Sequence, residues 1–241
     1  MIYSTGNAYS WVSNYSNWYF CSNTTSATGF CPVSFVNFGA GNAGAIDGYI
    51  YLLGATEQNF IGNGGLCACA YLARVPNNQL LTKTAYQVYT GVDASGVPQW
   101  SSTWANMQPI FTDPGPRAIT IGKVVYNSVL KRFIAVGQGW VNQAAFYDAP
   151  NPWGPWTSIA YFSSNSDNTG GWGNLGTTSF GAKAGNALGI NFINKWTSSN
   201  GLTMWATFSS DGYASPNAYL TPLAGMSMDS FSLVSATLTL H

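Results

Sequence analysis

Charge is what this sequence has least of. Eight lysines and arginines face eight aspartates and glutamates in 241 residues, so charged side chains make up 7% of the chain and the formal net charge is zero. An ordinary soluble protein carries about a quarter charged residues, and this deficit leaves no basic stripe to neutralise phosphates. Nucleic acid is therefore excluded as a main partner. No charged residue occurs between Met1 and Ile46. That stretch is nevertheless broken throughout by Asn, Ser, Thr and Gly, and no apolar run approaches the roughly 20 residues of a spanning helix. Met1 to Gly6 offers no basic region followed by an apolar core, so no secretory leader is legible there. Histidine is nearly missing too: the single one is His241, the last residue. A general base on a fraying terminus cannot be held in register, which excludes the Ser-His-Asp and Cys-His hydrolase classes. The four cysteines, Cys21, Cys31, Cys67 and Cys69, also lack the further ligands that a zinc site wants. No metal and no organic cofactor is expected.

What is abundant is apolar and aromatic: 46% and 15% of the residues, enough for a sizeable core. The surface must then be wetted by Asn, Ser, Thr and Tyr, a composition associated with extracellular, polysaccharide-facing proteins. Asn14 and Asn23 are N-glycosylation acceptors if a eukaryote secretes the chain. In an oxidising compartment Cys21 and Cys31 are one available pair across the Gly29 loop. Cys67 and Cys69 lie two apart in an expected strand, on one face and poorly placed to bond each other, and read as buried free thiols.

Helix signals are almost absent. Short runs of Val, Ile, Tyr, Phe, Trp and Thr, punctuated by Gly, Pro, Asn and Asp, predict an all-β chain. They recur as a unit. Its first copy has strands at residues 33–38, 49–54, 68–75 and 86–90, and its second at 119–127, 132–137, 144–148 and 157–162. A third copy, at 189–196, 203–209 and 232–240, lacks its fourth strand. Four antiparallel strands per unit make a β-propeller blade, and propellers close with about 4–8 blades. The expectation is thus a β-propeller of which this chain holds about three blades, part of a larger, five-bladed ring. Residues 1–30 would be a remnant of a preceding blade or a closing strand, and 31–241 the blades.

Two motifs have competing readings. Phe38-Gly39-Ala40-Gly41-Asn42-Ala43-Gly44 contains the G-x-G-x-x-G of a dinucleotide-binding turn. That turn must open a helix, and here it runs into a turn and a strand at Ile46 to Tyr51, which rejects a cofactor site. Tyr147-Asp148-Ala149-Pro150-Asn151-Pro152-Trp153-Gly154-Pro155-Trp156 fixes a rigid turn. Its tryptophans suit packing better than sugar stacking, because the turn should lie on the outer side of a blade.

Phe35-Val36-Asn37-Phe38-Gly39, Ala43 through Tyr51, Tyr71-Leu72-Ala73-Arg74-Val75-Pro76, Tyr126-Asn127, Leu130-Lys131-Arg132-Phe133, the turn just described, Lys195-Trp196 and Ser235-Ala236-Thr237-Leu238 follow one another in this order. Together they resemble a family of secreted β-propellers catalogued as a domain of unknown function, some of whose members are endo-D-arabinanases. The resemblance covers about residues 30–240. It implies a secreted propeller and a glycoside hydrolase-like activity on a furanosidic polysaccharide. The chain departs from the family pattern where charge is expected: Ala40 and Ile46 stand for basic residues, and Asn151 stands for a Glu.

Glycoside hydrolysis generally needs two carboxyl groups roughly 5–9.5 Å apart. The eight available are Asp47, Glu57, Asp93, Asp113, Asp148, Asp167, Asp211 and Asp229. Asp47 and Asp211 precede glycines and look like turn formers, but Asp47 lies inside the best family match and stays a catalytic candidate. Asp93 reads as a solvated turn. Glu57 and Asp113 are expected at the channel mouth as catalytic candidates, with Arg117 beside them to fix a sugar hydroxyl or lower a neighbouring Asp pKa. Trp140 and Trp172 occupy mouth-side loops and are candidates for sugar stacking. Three functions compete: a hydrolase using this carboxylate pair, a non-catalytic carbohydrate-binding propeller that has lost catalytic charge, and an interaction protein whose open strand edges pair with a partner chain.

Overall fold

The computed structural model describes residues 2–5, 8–11, 30–39, 42–56, 68–113, 119–139, 143–162, 187–210 and 230–239. A short hairpin joins β1 (Ile2–Thr5) to β2 (Ala8–Trp11). A first meander follows: β3 (Phe30–Asn37), β4 (Tyr49–Thr56), β5 (Ala68–Pro76), β6 (Gln87–Val92) and β7 (Pro98–Ser101), with β8 (Pro109–Asp113) pairing back on β5. A second runs through β9 (Ile119–Asn127), β10 (Arg132–Gly139), β11 (Gln143–Ala149) and β12 (Thr157–Phe162). A third comprises β13 (Ala187–Ile193), β14 (Thr203–Ser210) and β15 (Ser230–Thr237).

Within each meander the pairing is antiparallel. The first two are joined by a parallel contact of β3 with β9 at Val36↔Val124 and Asn37↔Val125. The hydrogen-bonded path β12-β11-β10-β9-β3-β4-β5-β6-β7 is a curled, open half-barrel of nine strands. The all-β class and the meander order agree with the run pattern. The first meander exceeds a four-stranded unit by β7 and β8.

Along β4, β5 and β10 the apolar runs are continuous because these strands are covered on both faces. On β10, Phe133 and Ala135 point into a core shared with Val36, Tyr51, Leu53, Leu72, Val124 and Tyr147. Their neighbours Ile134 and Val136 point the other way, into a core with Val125 of β9 and with Phe192, Met204 and Ala206 of the third meander. On β4 and β5, Leu52, Ala73 and Val75 face a third core with Phe30, Val88 and Met107. Side chains that alternate between two buried faces erase the polar half of the strand pattern.

Polar contacts fix the turns. Asn127 is 1% exposed; its Nδ2 donates to the Gly201 carbonyl at 2.8 Å, while its Oδ1 accepts from the Val129 and Leu130 amides. This side chain locks the β9–β10 hairpin and ties it to the β13–β14 turn. Gly201 sits at φ +75°, and a Cβ there would lie 2.9 Å from Val129 Cβ. Ahead of β4 the backbone turns back on itself: the Gly44 amide donates to the Phe38 carbonyl at 2.8 Å, and a Cβ on Gly44 would meet that oxygen at 2.7 Å.

One cysteine reading is corrected. Cys69 is disulfide-bonded rather than a free thiol, and Thr112 Oγ1 lies 3.5 Å from its sulfur. Its partner is one of Cys21, Cys31 and Cys67, whose side chains lie outside the described residues.

Candidate ligand-binding site

Residues on one face of the first meander converge through strand register. Arg74 on β5 is opposite Tyr51 on β4 and Gln87 on β6, and Tyr89 on β6 is opposite Trp100 on β7. Period-two alternation puts Tyr49 beside Tyr51 on that face. Trp153 arrives from the turn between β11 and β12, with its ring 6.3 Å from Tyr51 and 6.5 Å from Trp100. The face therefore grades from the apolar core outward to Arg74, Tyr49 and Asp47.

Arg74 is the centre of this arrangement. Its guanidinium lies 4.1 Å from the Tyr49 ring centroid and 4.2 Å from that of Trp100. Two ring faces at this distance stabilise the cation and hold its plane. Its Nε donates to Gln87 Oε1 at 3.0 Å and the guanidinium also hydrogen-bonds the Tyr51 hydroxyl, which leaves part of its five N–H donors for other acceptors.

Asp47 combines a turn role with a site role. Its Oδ1 accepts the Tyr49 amide at 2.9 Å, closing the turn that starts β4, and its Oδ2 accepts the Tyr51 hydroxyl at 2.6 Å. The carboxylate is exposed and keeps lone pairs for further donors. Tyr51 is 1% exposed. Burial first, then the hydrogen bond and negative charge of Asp47, raise the Tyr51 pKa well above its ordinary value near 10, while the Arg74 guanidinium offsets this only in part. The phenol thus stays neutral at physiological pH and donates to Asp47. It is a positioning group and is unsuited to nucleophilic attack.

Other described carboxylates are committed to local structure. Asp148 pairs with Arg132 at 2.6 Å and accepts from the Thr157 hydroxyl. Asp93 accepts the Ser95 and Val97 amides in an exposed turn, as expected of it. None of these contacts brings two carboxylates together. Glu57, Arg117, Trp140 and Trp172 lie outside the described residues, and for Asp113 only the backbone position, at the end of β8, is described. Trp153 and Trp156 pack against the core, in line with the packing reading of their turn. Among the described residues no cluster of His, Cys, Asp and Glu could hold a metal, and no helix is long and apolar enough to cross a membrane.

Tyr49, Tyr51, Arg74 and Trp100 were not expected as site residues. Tyr49 and Tyr51 could have been found from their period-two spacing next to Asp47. Arg74 and Trp100 belong to separate strands, and only register unites them.

No family model matches the chain, and no curated protein matches it. Among solved structures, a crystal structure from Bacteroides ovatus described as a "putative hydrolase" aligns with 69% of this chain at 16% identity and a TM-score of 0.41. The match spans 36% of that protein's own chain. It is a weak and partial likeness that assigns no family.

Proposed function

We propose that this chain is a secreted, non-catalytic carbohydrate-binding protein of propeller type, with Asp47, Tyr49, Arg74 and Trp100 holding a neutral sugar. The observation that carries this reading is the Asp47–Tyr51 hydrogen bond set beside a ring-stacked Arg74. A sugar hydroxyl both donates and accepts. Asp47 supplies acceptors, Arg74 supplies donors, and the Tyr and Trp rings supply apolar faces for the C–H groups of a pyranose or furanose. Successive antiparallel meanders whose strands are buried on both faces support the propeller, and the Cys69 disulfide supports an oxidising, extracellular destination. The partner is a polysaccharide or glycan.

A hydrolase of the arabinanase-like kind is the second reading, favoured by the ordered motifs quoted above. It assigns the acid and base roles to Glu57 and Asp113, with Arg117, Trp140 and Trp172 around the substrate. Titration calorimetry against soluble neutral polysaccharides, with reducing ends measured in the same samples, separates the two. Binding without release of reducing ends supports the binding protein. Release that falls when Glu57→Gln or Asp113→Asn is introduced supports the hydrolase.

A further inference from the structure

β15 is an edge strand without the usual protection. Among the described residues it pairs only with β14, over Ser230 to Thr237 in one unbroken register. Edge strands commonly deter pairing by being short, by carrying charge or proline, or by bulging. The other sheet edges use these devices. β7 is 4 residues long and begins with Pro98. β12 pairs across a register shift at Phe146/Tyr147. β13 pairs across a shift between Leu188 and Asn191, and Lys195 follows it. β15 has none of them: its 8 residues, SFSLVSAT, contain no charge and no proline.

We propose that β15 is a self-association edge, at which two copies of the chain pair antiparallel about a two-fold axis to fuse two three-stranded sheets into one. Sheet geometry narrows the register. Directly opposed residues must lie on the same face, so a two-fold axis normal to the sheet lies midway between a residue and its own copy paired across the new edge. Placing the axis at Leu233 sets two leucines against each other on the outer face, where Leu233 is 40% exposed and Trp205 is 36% exposed. An uncharged strand meets its copy without repulsion, and the new contact buries the exposed leucine on each side. A second copy suits this edge better than a charged partner strand, since β15 offers no countercharge.

The test is the mass of the intact protein in solution, by light scattering over a wide concentration range. The expected result is reversible dimerisation, from 25.7 kDa to twice that mass. Leu233→Lys and Leu233→Glu should each weaken the dimer by about ten-fold or more, since like charges then face each other. Mixing the two variants should restore a dimer, an outcome that misfolding of either could not give. Leu233→Cys should yield a crosslinked pair at that position under mild oxidation. A monomer at every concentration would overturn the proposal. A dimer unaffected by Leu233→Lys would overturn it as well.

Discussion

At the residue scale, Arg74 shows how a cation is kept in a protein with few charges. Its rings and Gln87 replace the carboxylate that would otherwise pair with it among the described residues. Arg74→Lys should therefore fail to substitute, because an ammonium lacks the planar stacking face. We expect both Arg74→Lys and Asp47→Asn to weaken glycan binding by about ten-fold or more, a loss of about 1.4 kcal/mol each, with a small fall in melting temperature for Asp47→Asn, whose amide keeps only one of the two acceptor oxygens. Isothermal titration reads the first quantity and calorimetric melting the second. Tyr51 gives a pH signature. Burial and Asp47 raise its pKa, and burial raises those of Tyr71, Tyr86 and Tyr89. In the unfolded chain these phenols ionise near pH 10. Their contribution is therefore complete below about pH 10 and is lost as pH climbs toward the folded values. Denaturant melts between neutral and strongly alkaline pH should show this decline, and Tyr51→Phe should make it shallower.

At the scale of elements, Asn127 and Gly201 form one joint between the second and third meanders. Asn127→Ala would leave the Gly201 carbonyl and two hairpin amides without their partner, at a cost of about 2–3 kcal/mol. Gly201→Ala should cost about 2 kcal/mol, from its positive φ and the close Val129 and Leu130 side chains. Urea unfolding of the two variants and their double mutant should reveal coupling, since both act on the same contact. The strands themselves were largely legible in the sequence. β9 and β12 have the bounds that the β-branched and aromatic runs predict, because turn residues flank them sharply. β7 and β8 were not legible: each is short and opens on a proline, Pro98 or Pro109, and the pairing of β8 with β5 spans many intervening residues. The candidate site was legible only at Asp47. Arg74 and Trp100 meet through the alignment of β5, β6 and β7, which no local spacing encodes.

At the scale of the whole molecule, strands buried on both faces make the meanders depend on one another. Phe133 and Ile134 are adjacent in sequence yet enter different cores. Phe133→Ala and Ile134→Ala should each cost about 2–5 kcal/mol, and each should shift a single unfolding transition with little change in its denaturant slope. Two separated transitions in either variant would contradict a mutually supporting stack. The low charge fits the same account, since faces that meet other sheets have no place for ions. The central claim is that the Asp47 and Arg74 face holds glycan and leaves it intact. The most direct test is one sample in which retained polysaccharide and free reducing ends are both measured, for the native chain and for Asp47→Asn. The account predicts saturable retention with no reducing ends, and loss of retention in the variant. Steady release of reducing ends, or retention equal in both proteins, would contradict it.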